Sequence, residues 1–222
     1  MSITPWSFSR LKSFEQCPKQ FYHVKVLKDY TEKETEAMRY GTQAHLVAEE
    51  YIRDGKPVPP KFSYMQKVLK ALNNKRGNKF TEMRMGLTED LKPCKFNDRY
   101  AWWRGIVDLV IIKDDKAWII DYKTGKNVQT ADTGQLELMA LSVFAHFPDV
   151  DKIHAGLLFT VKKKFIKESY NREQISVLWE QWRVRHDRMK VALNTGVWNP
   201  HPSGLCYRHC VVSECIYNGA NR

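Results

Sequence analysis

Two acidic residues lie in otherwise apolar stretches near the middle of the 222-residue sequence. Asp108 ends the run GIVD at 105–108, and Asp121 opens the run DYK at 121–123. Ionised carboxylates are disfavoured among apolar side chains unless they are paired, hydrogen-bonded or bound to a cation. Mg²⁺ and Mn²⁺ prefer carboxylate oxygens, and either ion can polarise a phosphate and activate water. These residues therefore favour metal-assisted phosphodiester hydrolysis, with Lys123 orienting water and stabilising negative charge; a salt bridge on a solvated strand is the alternative.

The pattern of apolar residues places these side chains on two paired strands. Residues 102–112 are mostly apolar and predict a long strand, Asp114 and Asp115 favour a turn, and residues 117–123 predict the return strand. Side chains alternate along a strand, so Asp121 and Lys123 share one face. The hairpin would fold Asp108 back beside Asp121.

The remaining segments predict a mixed α/β (α+β) domain with a central mixed β-sheet flanked by helices. Helices are expected over residues 7–14 (capped by Ser7), 18–26, after Gly41, around 65–72, and over 132–147 and 172–194, the last one ended by Gly196. Further strands are expected over residues 81–87, 153–161 and 165–169. We expect a single domain over residues 1–222, with an N-terminal helical part (1–75), a core sheet (76–170), and a long helix with a cysteine-bearing tail (171–222).

Composition narrows the class of partner. The hydrophobic fraction of 43% is too high for a disordered chain, and no apolar run is long enough to cross a membrane. With no apolar signal segment at the N-terminus, a cytoplasmic protein is expected. The net charge of +11 favours a polyanionic partner, most commonly nucleic acid. Candidate DNA contacts, each with a solvated face as its alternative, are Lys162, Lys163, Lys164 and Arg183.

Three of the five cysteines lie within ten residues near the C-terminus: Cys206, Cys210 and Cys215. In a reducing compartment such clustering indicates a metal or iron–sulfur site more often than disulfides. A four-thiolate site needs one more ligand, and Cys17 is the candidate. Iron–sulfur, zinc and buried reduced thiols all remain open at this point.

Five short segments follow one another along nearly the whole chain: SFS at 7–9 with Leu11, Phe14, Cys17-Pro18 and Phe21; Gly41-Thr42 with His45; GIVD at 105–108; DYKTG at 121–125; and Gln135. In this order they resemble the motifs of the RecB-like branch of the PD-(D/E)xK nuclease superfamily. One departure is Met139, at a position four residues after Gln135 where the family often has tyrosine.

The resemblance implies a restriction-endonuclease-like core and a role for each matched residue. His45, Asp108 and Asp121 would bind Mg²⁺ or Mn²⁺, and the Tyr122 carbonyl would add a ligand. Lys123 would be catalytic. Gln135 would organise the site or contact the substrate. Glu82, which no motif covers, is interpreted as a surface carboxylate, with an accessory metal ligand as the alternative.

The cysteine arrangement is similar to that of iron–sulfur nucleases such as the CRISPR adaptation nuclease and AddB. That similarity implies a [4Fe–4S] cluster held by one N-terminal and three C-terminal thiolates, with zinc at the same residues as the alternative. Cys94 would be left over. The four ligands would be Cys17, Cys206, Cys210 and Cys215.

The function that the resemblance implies is DNA exonuclease or end-processing activity in recombination, repair or phage DNA metabolism. The substrate would be single-stranded DNA or DNA ends, and a helicase or recombination partner would supply unwinding. A structure-selective or nicking endonuclease would use the same catalytic residues. The alternatives from other classes are a non-catalytic DNA-binding module on a nuclease fold and a zinc-stabilised interaction protein.

Overall fold

The computed structural model describes residues 5–125 and 127–221. The chain forms two compact units, each built from two segments of sequence. Unit 1 comprises Met1–Trp6 and Thr35–Leu178, and unit 2 comprises Ser7–Glu34 and Trp179–Arg222. The expectation of one domain over residues 1–222 stays a prediction.

Unit 1 contains a six-stranded mixed sheet in the order β2-β1-β3-β4-β5-β6. Among the described residues β4 and β5 form the one parallel pair, and the other neighbours are antiparallel. The mixed sheet confirms the predicted fold class. The strands are β1 (Asn78–Leu87), β2 (Pro93–Cys94), β3 (Trp103–Lys113), β4 (Lys116–Lys123), β5 (Lys152–Phe159) and β6 (Lys164–Asn171).

The helices of unit 1 cover this sheet. They are α3 (Glu36–Asp54), α4 (Gln66–Asn73), which a 3₁₀ turn at Pro60–Met65 precedes, and α5 (Gly134–His146). The α5 helix links the two parallel strands and is buried from Leu136 to Phe144, as expected of a helix that is apolar on all sides. A core cluster joins α3 and α4 to β3, β4 and β5; its buried members include Ala44, Ala48, Leu69, Leu109, Ile120 and Leu158.

The start of α3 corrects one prediction. The helix begins at Glu36 rather than after Gly41, because the Thr35 side chain accepts a hydrogen bond from the Met38 N–H and caps it there. Gly41 therefore lies inside the helix, where a Cβ atom would be 3.4 Å from the Thr124 hydroxyl oxygen. The prediction that Gly41 precedes the helix was wrong, because this glycine lies within α3 near Thr124.

The hairpin that carries the two aspartates forms as predicted. Lys113 pairs with Lys116, and Asp114 occupies the left-handed region at φ 53°. The neighbouring strand β1 contains an irregularity that the sequence did not reveal. Glu82 has φ 47°, and it lies between Thr81, paired with Leu109, and Met83, paired with Val107.

Unit 2 contains α1 (Phe8–Gln16), α2 (Pro18–Phe21), a π-helical segment (Tyr22–Leu27), the part of α6 (Ile175–Thr195) from Trp179 onward, and α7 (Leu205–Arg208). Ser7 caps α1 as predicted, accepting the Arg10 N–H. Glu15 accepts two hydrogen bonds from Arg185, each 2.7 Å long. The Trp198 ring packs against the rings of Phe14, Phe21 and Tyr22.

Among the described residues, every helix is too short or too polar to cross a lipid bilayer.

Candidate active site

The two predicted aspartates lie side by side where β3 and β4 pair. Leu109 pairs with Ile120, which places Asp108 and Asp121 next to each other at the end of the ladder. Both carboxylates are buried, with Asp121 only 2% exposed. Asp108 is held by a 2.7 Å hydrogen bond that its Oδ2 accepts from the Tyr122 N–H. The two acidic groups are therefore fixed in one place by the backbone of the hairpin.

Lys123 and Gln135 complete a closed ring of contacts with Asp121. The Lys123 Nζ lies 2.7 Å from Asp121 Oδ2 and donates to Gln135 Oε1 at 2.9 Å. The Gln135 Nε2 in turn donates to Asp121 Oδ1 at 2.8 Å. The Lys123 carbonyl accepts from the Thr160 N–H and hydroxyl at 3.0 and 3.2 Å, which anchors the end of β4. The ammonium group is thus held beside a carboxylate by contacts that restrict its rotamers.

A second group of ligands surrounds Asp108 on its other side. The His45 Nδ1 lies 3.3 Å from Asp108 Oδ1. One ligand atom from each of His45, Glu82 and Asp108 falls within 4.8 Å of the other two, so together they could hold a metal ion. One imidazole nitrogen and two carboxylates are a donor set that Mn²⁺ and Mg²⁺ accept. Asp121 does not belong to this group of three, but it lies beside Asp108 on the paired strand.

Glu82 is a functional candidate that the sequence analysis gave too little weight. A surface carboxylate was the favoured interpretation, but the left-handed backbone at φ 47° brings this half-buried side chain to His45 and Asp108. A non-glycine residue in this region is uncommon, and such residues cluster at functional sites. Nothing in the sequence marks the irregularity, because the surrounding alternation is that of an ordinary strand.

The electrostatics of the site are those of crowded acids. Burial, and then the charge of Asp108, raise the pKa of Asp121 to about 6, although Lys123 opposes the shift. Burial and Asp108 also raise the pKa of Glu82. Burial alone would lower the pKa of His45, but the hydrogen bond and charge of Asp108 outweigh it, so that pKa is raised. A bound cation would relieve the repulsion among these carboxylates.

Tyr122 contributes its backbone N–H to the site, while its ring lies in the core. The ring meets His45 edge to face at 6.1 Å between centroids and is 2% exposed. Within residues 5–125 and 127–221 its buried hydroxyl has no hydrogen-bond partner. Burial, followed by the charge of Asp108, raises the pKa of this phenol. The predicted role of the Tyr122 carbonyl as a metal ligand stays a prediction.

An open groove beside these ligands gives access to the site. It has a volume of about 440 Å³ and is lined by Gly41, Thr42, His45, Leu46, Glu49 and Glu82. Glu49 is engaged by Arg53, one helical turn away. Met139, at the position where the family often has tyrosine, is 4% exposed and belongs to the core.

The predicted DNA contacts fall in different units. Lys162, Lys163 and Lys164 are exposed together at the turn between β5 and β6 in unit 1, with Lys163 at φ 52°. Arg183 is half-buried on the unit 2 part of α6.

The four predicted cluster cysteines all lie in unit 2, whereas Cys94 lies on β2 in unit 1. All are free thiols. The Cys17 Sγ accepts weak hydrogen bonds from the Gln20 and His201 N–H groups at 3.5 and 3.4 Å. Burial raises the pKa of Cys210, and the charges of Cys206, Cys17 and Cys215 add to that rise. The other three thiols are thus near enough to influence Cys210.

Solved structures of other proteins are similar to this chain at low sequence identity. A crystal structure of a candidate exonuclease from Eubacterium rectale shares the fold, with a TM-score of 0.51 at 10% identity over 98% of this chain and 88% of that one. The crystal structure of SSO0001 aligns over 97% and 87% of the two chains at 14% identity, with a TM-score of 0.41. No curated protein matches the sequence.

The family model of the PD-(D/E)XK nuclease superfamily matches residues 5–215. This match spans all of the residues that the structure gathers in the site, from His45 to Gln135. With nearly the whole sequence matched and a mixed sheet that carries the aspartates and lysine, the chain belongs to the PD-(D/E)XK nuclease superfamily.

Proposed function

We propose that this protein is a divalent-metal-dependent deoxyribonuclease of the RecB-like branch that processes DNA ends as an exonuclease. The observation that carries the proposal is the convergence of one imidazole, three carboxylates and one ammonium group at the end of the β3–β4 hairpin. Superfamily membership supports nuclease activity, and the net charge of +11 suits a DNA substrate.

The residues of the site fit Mg²⁺ or Mn²⁺. His45, Glu82 and Asp108 supply one set of donor atoms, and Asp121 borders it. A bound cation would polarise the scissile phosphate and lower the pKa of the attacking water. Asp121 and Gln135 hold Lys123 in place, and its ammonium group orients water and stabilises the charge that develops on the phosphate oxygens. The Tyr122 N–H of the hairpin anchors Asp108.

The decisive experiment compares linear and closed DNA. End-labelled single- and double-stranded linear DNA and covalently closed circles are incubated with Mg²⁺, Mn²⁺ or EDTA. Metal-dependent loss of linear DNA with circles spared is the expected result. Cutting of circles would replace the exonuclease with a nicking or structure-selective endonuclease, and no cleavage under any metal would leave a DNA-binding module.

Lys123→Ala and Asp121→Ala are expected to reduce kcat by at least about 10³-fold. The first removes the ammonium group that stabilises charge on the phosphate, and the second removes the carboxylate that holds this ammonium and borders the metal donors. Circular dichroism should show an unchanged fold. The matched control is Lys113→Ala, an exposed lysine on the same hairpin. Wild-type activity in either active-site variant would overturn the assignment.

We also propose that Cys17, Cys206, Cys210 and Cys215 hold a [4Fe–4S] cluster. All four lie in unit 2, and the charges of Cys17, Cys206 and Cys215 add to the rise in the pKa of Cys210. Zinc at the same four residues is the alternative. The cluster would crosslink the two segments of unit 2.

The exposed lysines of the β5–β6 turn and Arg183 are proposed to contact DNA phosphates. A cytoplasmic role in recombination, repair or phage DNA metabolism, with a helicase or recombination partner, completes the proposal.

A further inference from the structure

The far half of the sheet carries an aromatic surface that the active site does not use. Trp118 on β4 is in register with His154 on β5, and their rings stack at 5.9 Å with an interplanar angle of 25°. Phe165 on β6 lines the same cavity of about 370 Å³. We call Trp118, His154 and Phe165, with the lysines that surround them, the aromatic–lysine surface.

The ring of Phe165 lies over Gly156, where the neighbouring strand has no side chain. A Cβ atom on Gly156 would lie 2.1 Å from the Phe165 ring, so the ring occupies the space that a side chain would fill. The ring is nevertheless 42% exposed. A large apolar side chain that lies flat on a strand and faces solvent offers a platform on which another planar group can stack.

Lysines surround these rings. The Lys75 Nζ lies 3.7 Å from the Trp118 ring centroid, and the Lys167 Nζ lies 5.6 Å from that of Phe165. Lys116 and Lys152 are paired in register at the starts of β4 and β5, and both are exposed.

The electrostatic environment of the surface is positive. Burial, and then the charges of Lys152, Lys116 and Lys75, lower the pKa of His154. Among the residues that line the cavity, Glu168 is the one carboxylate.

We propose that the aromatic–lysine surface binds single-stranded DNA, with an unpaired base stacked on the exposed Phe165 ring and phosphates against the lysines. Stacking platforms flanked by positive charge are the chemistry by which proteins bind unpaired strands without sequence preference. A duplex hides its base faces, and the acidic side chains of a peptide offer no aromatic face to stack, so the surface fits a single strand better than either.

This surface is separate from the cleavage site, although both lie on β4. Trp118 precedes Asp121 by three residues, roughly 10 Å along a strand, and this odd spacing puts the two side chains on opposite faces. Building on the proposed nuclease function, we infer that the surface holds a part of the substrate strand away from the cleaved bond. Substrates long enough to reach it should therefore bind more tightly than short ones.

The test measures binding without cleavage. Fluorescence anisotropy of a labelled oligothymidylate in EDTA gives Kd for the full-length protein and its variants. Phe165→Ala is expected to weaken binding about 5- to 100-fold, as the loss of one stacking platform does.

The lysines are tested by the salt dependence of binding. The double variant Lys116→Gln/Lys152→Gln should reduce the slope of the logarithm of the binding constant against the logarithm of the salt concentration by about 1.4. The matched controls are Val161→Ala, an exposed apolar residue near the same hairpin turn, and Lys92→Gln, an exposed lysine at the opposite edge of the sheet.

The outcomes separate this inference from the proposed nuclease function. If folded Phe165→Ala and the double lysine variant bind oligothymidylate as the wild type does, the surface is not a DNA site, whatever the nuclease assay shows. Equal sensitivity of duplex binding to Phe165→Ala would also overturn the stacking mode. The variants could bind single strands more weakly than the wild type while the wild type itself cuts no DNA. That result would support this inference and contradict the nuclease proposal. Trp118→Phe, which retains an aromatic ring, should keep most of the affinity.

Discussion

At the scale of single residues, Glu82 combines an unfavourable backbone conformation with a position between His45 and Asp108. The left-handed conformation costs about 1 kcal/mol for a residue with a Cβ atom, and that cost persists only where the surroundings fix it. The residue thus has the mark of a site where stability was exchanged for function.

Glu82→Gly is therefore expected to raise the melting temperature of the metal-free protein by a few degrees and to weaken Mn²⁺ binding at least about tenfold. Differential scanning calorimetry and Mn²⁺ titration measure the two effects. Glu82→Gln keeps the strained backbone and loses only the carboxylate, so it should weaken Mn²⁺ binding without the same gain in stability. Wild-type Mn²⁺ affinity in the glycine variant would remove Glu82 from the site.

The buried Asp121 makes the stability of the metal-free protein depend on pH. Its pKa is about 6 in the folded chain, against roughly 3.9 in an unfolded one. The folded chain therefore binds the Asp121 proton more tightly than the unfolded chain does. The stabilisation that protonated Asp121 contributes is complete below about pH 4 and is lost as the pH rises through 6. The melting temperature of the wild type relative to Asp121→Asn should fall over this range. A difference that stays constant with pH would contradict the shift.

At the scale of elements, glycines in the sheet make room for neighbouring rings. A Cβ atom on Gly105 of β3 would lie 2.2 Å from the buried Trp103 indole, which is 1% exposed. Gly105→Ala is expected to destabilise the fold by about 1–3 kcal/mol, because the indole has no open space to enter. Gly204→Ala, with nothing within 4 Å of the added atom, is the control, and urea denaturation measures both. Equal stability of the two variants would contradict the close packing.

Element types followed from local signals, but their boundaries and irregularities did not. The β3–β4 hairpin was predictable because apolar runs and a turn pair specify it without distant contacts. The start of α3 was not predictable, because a glycine is locally typical of a helix break, whereas Gly41 lies inside a helix that Thr35 caps. The two-residue β2 strand and the π-helical turn after Phe21 have no sequence periodicity to reveal them.

The candidate site was predictable where it rests on motifs. Asp108, Asp121, Lys123 and Gln135 come together as the hairpin and the following helix require. Glu82 was undervalued, because its position depends on one backbone angle in an otherwise regular strand. The aromatic–lysine surface was missed because Trp118, His154 and Phe165 are far apart in sequence and meet only through strand register.

At the scale of the whole molecule, the candidate active site lies in one compact unit and the four proposed cluster cysteines lie in the other. Cys210→Ser is expected to abolish bound iron, sulfide and absorbance near ~400 nm in protein purified without oxygen, because it removes one of four cluster ligands. Cys94→Ser, which changes a thiol of the other unit, is the matched control and should keep them. Stoichiometric zinc without visible absorbance would favour the zinc alternative, and a metal-free wild type would contradict both.

The discontinuity of unit 2 has a consequence for how the protein is made. Its first segment, residues 7–34, leaves the ribosome before all of residues 35–178, and its second segment emerges after them. Residues 35–178 can therefore begin to fold during translation while α1 and α2 are still without their packing partners Trp198 and Arg185. Helices this short are marginal alone, so the two helices are expected to become stable only once residues 179–222 have emerged.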